Sequence, residues 1–318
     1  MSVYAIRTDH LTRTFNHLQA VDDLNLEVPA GVVFGFLGPN GAGKTTTLRL
    51  LLGLLQPTAG TAIVLGHDVR TRADAIRARC GALLEHTGLY ERLSAEDNLD
   101  LFGRINRLPA GERRARIRQL LTDLELWERR REPVATWSRG MKQKLAIARA
   151  LLHRPALLLV DEPTAGLDAL SAAALRGDLA RLAHQEGITI FLTTHNLSEA
   201  EKLCQQVAVI RAGRLLAVGS PQELRRRRGG QVHLVVHGLT PGVLDGLRTT
   251  FGHEAVQSGP EDGHILLHLA PPSPQSVTSV VTYLVHQGVA VEEVYHEQVS
   301  LEEVFLSLVQ ENEHDADA

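Results

Sequence analysis

Gly38-Pro39-Asn40-Gly41-Ala42-Gly43-Lys44-Thr45 is the stretch of sequence that decides the fold. This G-x-x-x-x-G-K-T loop lies between the apolar run Val32–Leu37 and a helix-like run that begins at Thr46. Glycines in such a loop let successive backbone N–H groups turn toward phosphate oxygens, and the helix that follows adds partial positive charge. Lys44 is expected to reach the β- and γ-phosphates, and Thr45 to offer a hydroxyl to Mg²⁺. The loop, with Thr46, therefore predicts a binding site for a nucleoside triphosphate and Mg²⁺.

Length and composition restrict the class of protein. The 318 residues predict a large core and two domains, and the 44% hydrophobic fraction fits a globular fold. The net charge of −4 gives no overall basic field, so nucleic acid is not expected as a partner. Cys80 and Cys204 stand apart without metal-ligand spacing, which predicts neither a disulfide framework nor a zinc site. No apolar run reaches the ~18 residues of a membrane helix, so a role at a membrane would depend on a partner.

Apolar runs alternate with helical patterns around the loop. Val32–Leu37 and Leu157–Val160 predict buried strands, and Met141–Leu152 and Ser171–Gln185 predict helices. This alternation predicts an α/β fold with a mostly parallel sheet. Alternating segments within residues 4–28 predict an antiparallel β subdomain of short strands. A helical subdomain is expected within about residues 86–150, and its arginines are expected to form a solvated face.

The sequence changes character after the run Arg225–Arg228. The two glycines that follow this run predict a domain boundary, so that residues 1–228 form the nucleotide-binding domain. Residues 229–310 show the order strand, helix, two strands, helix, strand, which predicts a small C-terminal α+β domain of ferredoxin-like type. The polar residues 311–318 are expected to form a disordered tail.

A second motif with reactive side chains is Leu157-Leu158-Leu159-Val160-Asp161-Glu162, an apolar strand that ends in two carboxylates. Strand ends are where an α/β sheet presents its functional groups. Asp161 is placed to join the Mg²⁺ shell. Glu162, one residue later, is placed to polarise an attacking water as general base.

Further motifs follow along the chain. They are Trp137-Ser138-Arg139-Gly140-Met141, Asp161-Glu162-Pro163-Thr164 with Ala165-Gly166-Leu167-Asp168, and Thr193-Thr194-His195. Together with the phosphate loop, these motifs resemble the nucleotide-binding subunit of an ATP-binding cassette (ABC) transporter, and the resemblance covers residues 3 to about 224. It implies a phosphate-loop ATPase core that binds ATP with Mg²⁺ and hydrolyses it.

The resemblance also implies roles for single residues. In that family two nucleotide-binding subunits enclose two ATP molecules, and the signature motif of one subunit faces the phosphate loop of the other. Ser138 and Gly140 would then contact the γ-phosphate across the interface, while His195 would contact it within the same chain. Asp168 would help to join the two sites. The catalytic residues expected on this basis are Lys44, Glu162 and His195.

The resemblance also places three further residues near the nucleotide. Phe15 lies where the family has an aromatic residue that stacks on adenine, although a core phenylalanine is the other interpretation. Glu85 lies where the family has a glutamine that contacts Mg²⁺ and links to the membrane partner, so a carboxylate here adds negative charge near the phosphates. We therefore expect Glu85 to approach the metal with Thr45 and Asp161. Arg139 replaces the glycine of the common signature, and its positive charge suits a phosphate.

The C-terminal sequence narrows the resemblance. The segments Gly213–Pro221 and Val299–Phe305 resemble exporter ATPases of the drug-resistance and ABC-2 type. The expected function is ATP-driven export through a separately encoded ABC-2 type membrane permease, with a homodimer bound to the cytoplasmic face of the membrane. The alternative is a soluble ABC ATPase that acts on nucleic acid or ribosomes, and only the run Arg225–Arg228 favours it.

Overall fold

The computed structural model describes residues 3–227, 232–251, 256–261, 264–269, 274–296 and 300–307. The chain divides into two compact units, Met1–Pro221 and Gln222–Ala318. The boundary predicted between Arg228 and Gly229 and the tail predicted at residues 311–318 lie outside the described residues.

The first unit combines strands and helices. Its strands are β1 (Tyr4–Phe15), β2 (Leu18–Leu24), β3 (Glu27–Pro29), β4 (Val33–Leu37), β5 (Ala59–Val64), β6 (His67–Asp68), β7 (Cys80–Leu83), β8 (Leu157–Asp161), β9 (Thr189–Thr194), β10 (Gln206–Arg211) and β11 (Arg214–Gly219). Its helices are α1 (Lys44–Leu51), α2 (Ala73–Arg77), α3 (Ala95–Ile105), α4 (Ala110–Asp123), α5 (Arg139–Leu151), α6 (Ala169–Glu186) and α7 (Leu197–Leu203), with short 3-10 turns at Trp127–Arg129 and Val134–Thr136. Helix α8 (Pro221–Arg227) begins at the boundary between the units.

The central sheet carries the chemistry-bearing motifs. Its six described strands lie in the order β11-β10-β4-β9-β8-β7, and all neighbours are parallel except β11, which is antiparallel to β10. Every residue of β4, β8 and β9 is buried, because a parallel sheet covered on both faces requires apolar residues on both faces. The predicted α/β fold with a mostly parallel sheet is confirmed.

Strands from the first part of this unit form a second sheet. Strands β2, β1, β5 and β6 follow one another, β3 pairs with β1, and all of these pairs are antiparallel. The core contains the aromatic group Phe34, Phe36 and Phe191, with ring centroids of Phe34 and Phe191 5.6 Å apart. The phosphate loop follows β4 directly, so burial of this group fixes the base of the loop.

The helical region holds one arginine that departs from the sequence expectation. The predicted solvated face is wrong for Arg116 of α4, whose residue surface is only 2% exposed. Its guanidinium lies 2.6 Å from the Glu186 carboxylate and donates a hydrogen bond to the backbone oxygen of Leu151. Arg116 is buried because α5 and α6 supply acceptors for a group that could not be buried unpaired.

The second unit is a four-stranded sheet in its described part. Its elements are β12 (Val232–His237), α9 (Pro241–Phe251), β13 (Val256–Glu261), β14 (His264–Leu269), α10 (Pro274–His286) and β15 (Ala290–His296), and residues 301–307 are helical. The strand order is β13-β14-β12-β15 with antiparallel neighbours. Alternate residues of β12 contribute to a core with Leu247 of α9 and Leu284 of α10. Among the described residues of the whole chain, no helix has the length and apolar character needed to cross a bilayer.

Candidate active site

The phosphate loop is built by close backbone approaches that only glycine permits. Gly43 has φ +102, and a Cβ at this position would overlap the backbone oxygen of Ala20. A Cβ at Gly38 would overlap the backbone oxygen of Ile210. Helix α1 begins directly after Gly43, which as a glycine has no side chain to cap the helix N-terminus. Its first N–H groups therefore remain available to an anion at the loop.

Lys44 is the buried cation of the loop. Its side chain is 6% exposed, and Nζ donates to the backbone oxygens of Gly38 at 2.8 Å and Pro39 at 3.1 Å. Nζ also lies 3.1 Å from Oε1 of Glu162. The ammonium thus joins the loop to the end of β8, and a phosphate oxygen is the kind of acceptor that would compete with this carboxylate.

Thr45 and Asp161 come together as a pair of hard oxygen donors. Thr45 Oγ1 donates to Asp161 Oδ2 at 2.7 Å, and Thr193 Oγ1 donates to Asp161 Oδ1 at 2.5 Å. Mg²⁺ prefers oxygen ligands and is commonly held by one or two protein groups together with phosphates and water. The donor set of Thr45 and Asp161 therefore fits Mg²⁺ bound to a nucleotide.

Glu162 connects the residues with predicted catalytic roles. Its Oε2 lies 2.6 Å from Nδ1 of His195, while Oε1 faces Lys44. The backbone of Glu162 has φ +45, and its N–H donates to both the backbone oxygen and Oγ1 of Thr193 at 3.1 Å. These bonds stabilise an uncommon backbone conformation that aims the carboxylate between a cation and an imidazole.

A cavity of about 580 Å³ lies over the loop. Phe15, which is 37% exposed, lines it together with residues of the loop and with Glu162. Exposure at the cavity disagrees with the interpretation of Phe15 as a core residue. The guanidinium of Arg13 lies 4.4 Å from the Phe15 ring centroid, a cation–π distance. The residues that line the cavity are Phe15, Leu18, Gln19, Ala20, Asn40, Gly41, Gly43, Lys44, Thr45, Thr46, Glu162 and Ala212.

The signature residues lie elsewhere in the unit. Ser138 caps helix α5, since its side chain accepts a hydrogen bond from the Met141 backbone N–H at 3.3 Å. Gly140 lies beside Ser171, where an added Cβ would come within 3.3 Å of the serine side chain. Ser138 and Gly140 are not among the residues that line the cavity over the loop of their own chain.

Asp168 stands at the start of helix α6. Its carboxylate accepts hydrogen bonds from the Ser171 backbone N–H at 2.9 Å and from Ser171 Oγ at 2.7 Å. The hydrogen bond from the Ser171 side chain is the main cause that lowers the pKa of Asp168. The residue is therefore held ionised as an N-cap. Arg139 lies against Gly166, where φ is +70 and a Cβ would overlap the guanidinium.

Glu85 takes a partner that the sequence does not indicate. Its Oε1 lies 2.9 Å from Nη2 of Arg49 in helix α1. Sequence reasoning also missed the role of Thr193, which bonds to Asp161 and supports Glu162. The available signal was the Thr193-Thr194 pair at the end of a buried strand, where a hydroxyl requires a polar partner.

Comparisons with known proteins point to one family. A family model for "ABC transporter" matches residues 21–165. The chain is 37% identical over 309 residues to a daunorubicin resistance ATP-binding protein of Streptomyces coeruleorubidus, with 97% of this chain and 96% of that protein covered. It is 38% identical over 292 residues to a Nod factor export ATP-binding protein of Cupriavidus metallidurans, with 91% of each covered.

A solved structure shows the same fold. The chain is similar to cbiO1 from Clostridium perfringens, described as part of an ABC transporter complex, with a TM-score of 0.66 and 28% identity. The match covers 70% of this chain and 91% of that structure. The chain therefore belongs to the ABC transporter family, as one of its ATP-binding, ATP-hydrolysing members.

Proposed function

We propose that this protein binds ATP with Mg²⁺ between two copies of itself and uses its hydrolysis to drive export through a separately encoded membrane permease. The observation that carries the proposal is the convergence of the catalytic groups at the carboxyl ends of three adjacent strands. Lys44 follows β4, Glu162 follows β8 and His195 follows β9, and Glu162 contacts both of the others.

Each residue of this group has a defined chemical task. Lys44 and the N-terminus of α1 bind the β- and γ-phosphates, and Phe15 offers an exposed ring to the adenine. Thr45 and Asp161 hold Mg²⁺, which neutralises phosphate charge when bound. Glu162 accepts a proton from the attacking water once phosphate replaces it at Lys44, and His195 donates a hydrogen bond to the γ-phosphate.

A second copy completes the site in this proposal. Ser138 and Gly140 lie at the N-terminus of α5 and do not line the cavity of their own chain. The partial positive charge at that N-terminus suits the γ-phosphate of the partner's ATP. Asp168 bonds to Ser171, which lies beside Gly140, and in this proposal it lies where the two sites meet.

The relatives support export as the process that ATP drives. Two of them are named for daunorubicin resistance and for Nod factor export, and the chain covers more than nine tenths of each. Both are named as ATP-binding proteins. These names favour a system in which this chain binds ATP and a separate ABC-2 type permease carries the substrate across the membrane. The protein would then bind to the cytoplasmic face of the membrane through that permease.

The second unit is proposed to be ferredoxin-like. Its element order β12-α9-β13-β14-α10-β15 and its antiparallel strand order β13-β14-β12-β15 support this assignment.

The proposed function is tested by purification of the protein from native membranes. We expect a hydrophobic polytopic protein to copurify. When this protein is reconstituted with that membrane protein, its ATPase rate should rise. Copurification of RNA or ribosomes in place of such a protein, with binding that weakens as salt rises, would contradict the export proposal.

A further inference from the structure

The ion pair between Arg49 and Glu85 joins helix α1 to the segment that follows β7, and it has no role in the chemistry above. Arg49 Nη2 and Glu85 Oε1 are 2.9 Å apart, and the two side chains are 40% and 54% exposed. Such exposed pairs contribute little to folding stability. The position of the pair is therefore more informative than its contribution to stability.

Two independent features place the pair next to the metal-binding oxygens. Arg49 follows Thr45 by four residues in helix α1, so the two side chains share one face and their Cβ atoms are about 5–6 Å apart. Thr45 Oγ1 is in turn 2.7 Å from Asp161.

The sheet gives the second feature. Strand β7 is parallel to β8 with Leu83 opposite Val160, so the chain reaches Glu85 at the edge where β8 ends in Asp161. Arg49 therefore lies one turn of α1 after Thr45, and Glu85 lies at the sheet edge where β8 ends in Asp161.

A carboxylate at this edge of the sheet would oppose a polyphosphate bound at the loop. Salt screens such repulsion only over the Debye length, which is about 10 Å at 0.1 M salt. Arg49 cancels that charge through a direct ion pair. The pair as a whole carries no net charge.

We infer that Arg49 is a positioning residue for the nucleotide site: it holds the Glu85 carboxylate in an ion pair and neutralises it, so that a carboxylate is compatible with triphosphate binding at this position. The inference rests on the proposed assignment of the nucleotide site. It predicts opposite effects when either partner is removed, because Arg49→Met leaves an extra negative charge and Glu85→Gln leaves an extra positive charge.

The test is calorimetric titration of the full chain with ATP in excess EDTA, where no metal screens the phosphates. Arg49→Met should weaken ATP binding by about three- to tenfold, and Glu85→Gln should tighten it by about two- to fivefold. The double variant should bind within about twofold of the wild type, and Arg49→Lys, which keeps the charge, should also do so. Added Mg²⁺ or higher ionic strength should reduce all of these differences.

Controls separate this inference from its premises. Arg7→Met breaks another exposed ion pair, Arg7 with Glu27 at 3.2 Å, and should leave ATP affinity unchanged. Lys44→Ala should lose ATP binding, and retention of binding by that variant would contradict the nucleotide site itself. Urea unfolding of each variant shows that it is folded.

The inference is overturned if Arg49→Met and Glu85→Gln change ATP affinity in the same direction, since loss of a merely structural pair would act alike from either side. No change in both variants, while the wild type binds ATP and Lys44→Ala does not, also overturns it. If Arg49→Met does not fold, Glu85→Gln decides alone, and unchanged or weaker binding by that variant contradicts the inference.

Discussion

In the proposed mechanism, Glu162 is the residue that links ATP binding to hydrolysis. Its carboxylate contacts Lys44 and His195 at the same time, at 3.1 and 2.6 Å. A phosphate that binds Lys44 must replace one of these contacts, and the carboxylate is then released toward water. We therefore propose that Glu162 pairs with the Lys44 ammonium before ATP binds and serves as the general base afterwards.

Replacement of Glu162 by Gln should separate these two functions. The amide cannot accept a proton, so we expect the ATPase rate to fall by about 100-fold or more. ATP binding should persist, because the variant also removes a competing anion from Lys44. A single-turnover assay with radiolabelled ATP measures the rate. The control is Glu27→Gln, which makes the same substitution at an exposed residue of β3. Near-normal turnover by Glu162→Gln would show that another group is the base.

The two thiols provide a residue-scale test of the core. Burial raises the pKa of both Cys80 and Cys204 to about 12, since a thiolate is disfavoured away from water. A disulfide reagent at pH 8 should therefore label neither thiol in the native protein and both in guanidinium chloride. Rapid labelling of the native protein would show that β7 or the end of α7 opens readily.

At the scale of elements, helix α5 supports two interpretations of Ser138. The side chain caps the helix by accepting the Met141 N–H, just as Ser94 caps α3 by accepting the Asp97 N–H at 3.1 Å. Loss of either cap should cost about 1 kcal/mol of folding free energy. The proposed function adds a second role for Ser138 only, as a donor to the partner's ATP.

A matched pair of variants separates capping from this second role. Ser94→Ala should lower stability and leave the ATPase rate unchanged, whereas Ser138→Ala should lower stability to a similar extent and also reduce the rate by at least tenfold. Urea denaturation and a steady-state ATPase assay measure the two quantities. Equal, unreduced rates in both variants would limit Ser138 to its role as a cap.

The secondary-structure elements also show which features of the fold can be predicted from the sequence. Runs such as Leu157–Val160 predicted buried strands because both of their faces are apolar, and β8 is buried throughout. The burial of Arg116 could not be predicted in this way, because the acceptors that make it possible belong to α5 and α6, which are distant in the sequence.

At the scale of the whole molecule, the proposed sites are complete only in a dimer. With Mg²⁺ and ATP, the Glu162→Gln variant should sediment at twice the mass of the chain, since slow hydrolysis preserves the ATP that joins the copies. Without nucleotide, or with Ser138→Ala added, it should sediment as the monomer. A single mass under all conditions in analytical ultracentrifugation would contradict closure of two copies around ATP.

The sequence by itself determined the phosphate loop and the catalytic motifs, because their chemistry depends on short contiguous segments. Eight residues from Gly38 to Thr45 specify a glycine-rich turn, a lysine and a hydroxyl at the start of a helix. The order of the other motifs identified the family for the same reason, and the comparisons confirmed it.

Only the tertiary structure decided which of these groups meet. Arg49 and Glu85 are 36 residues apart in the chain, and Glu162 lies 31 residues before the Thr193 that supports it. The order of parallel strands in the central sheet and the position of α1 above their carboxyl ends create these contacts. Ion pairs and hydrogen bonds form over a few ångströms in space, whatever the separation along the chain. Spacing along the sequence therefore could not reveal the ion pair of Glu85 with Arg49. Nor could it reveal that Glu162 connects Lys44 to His195.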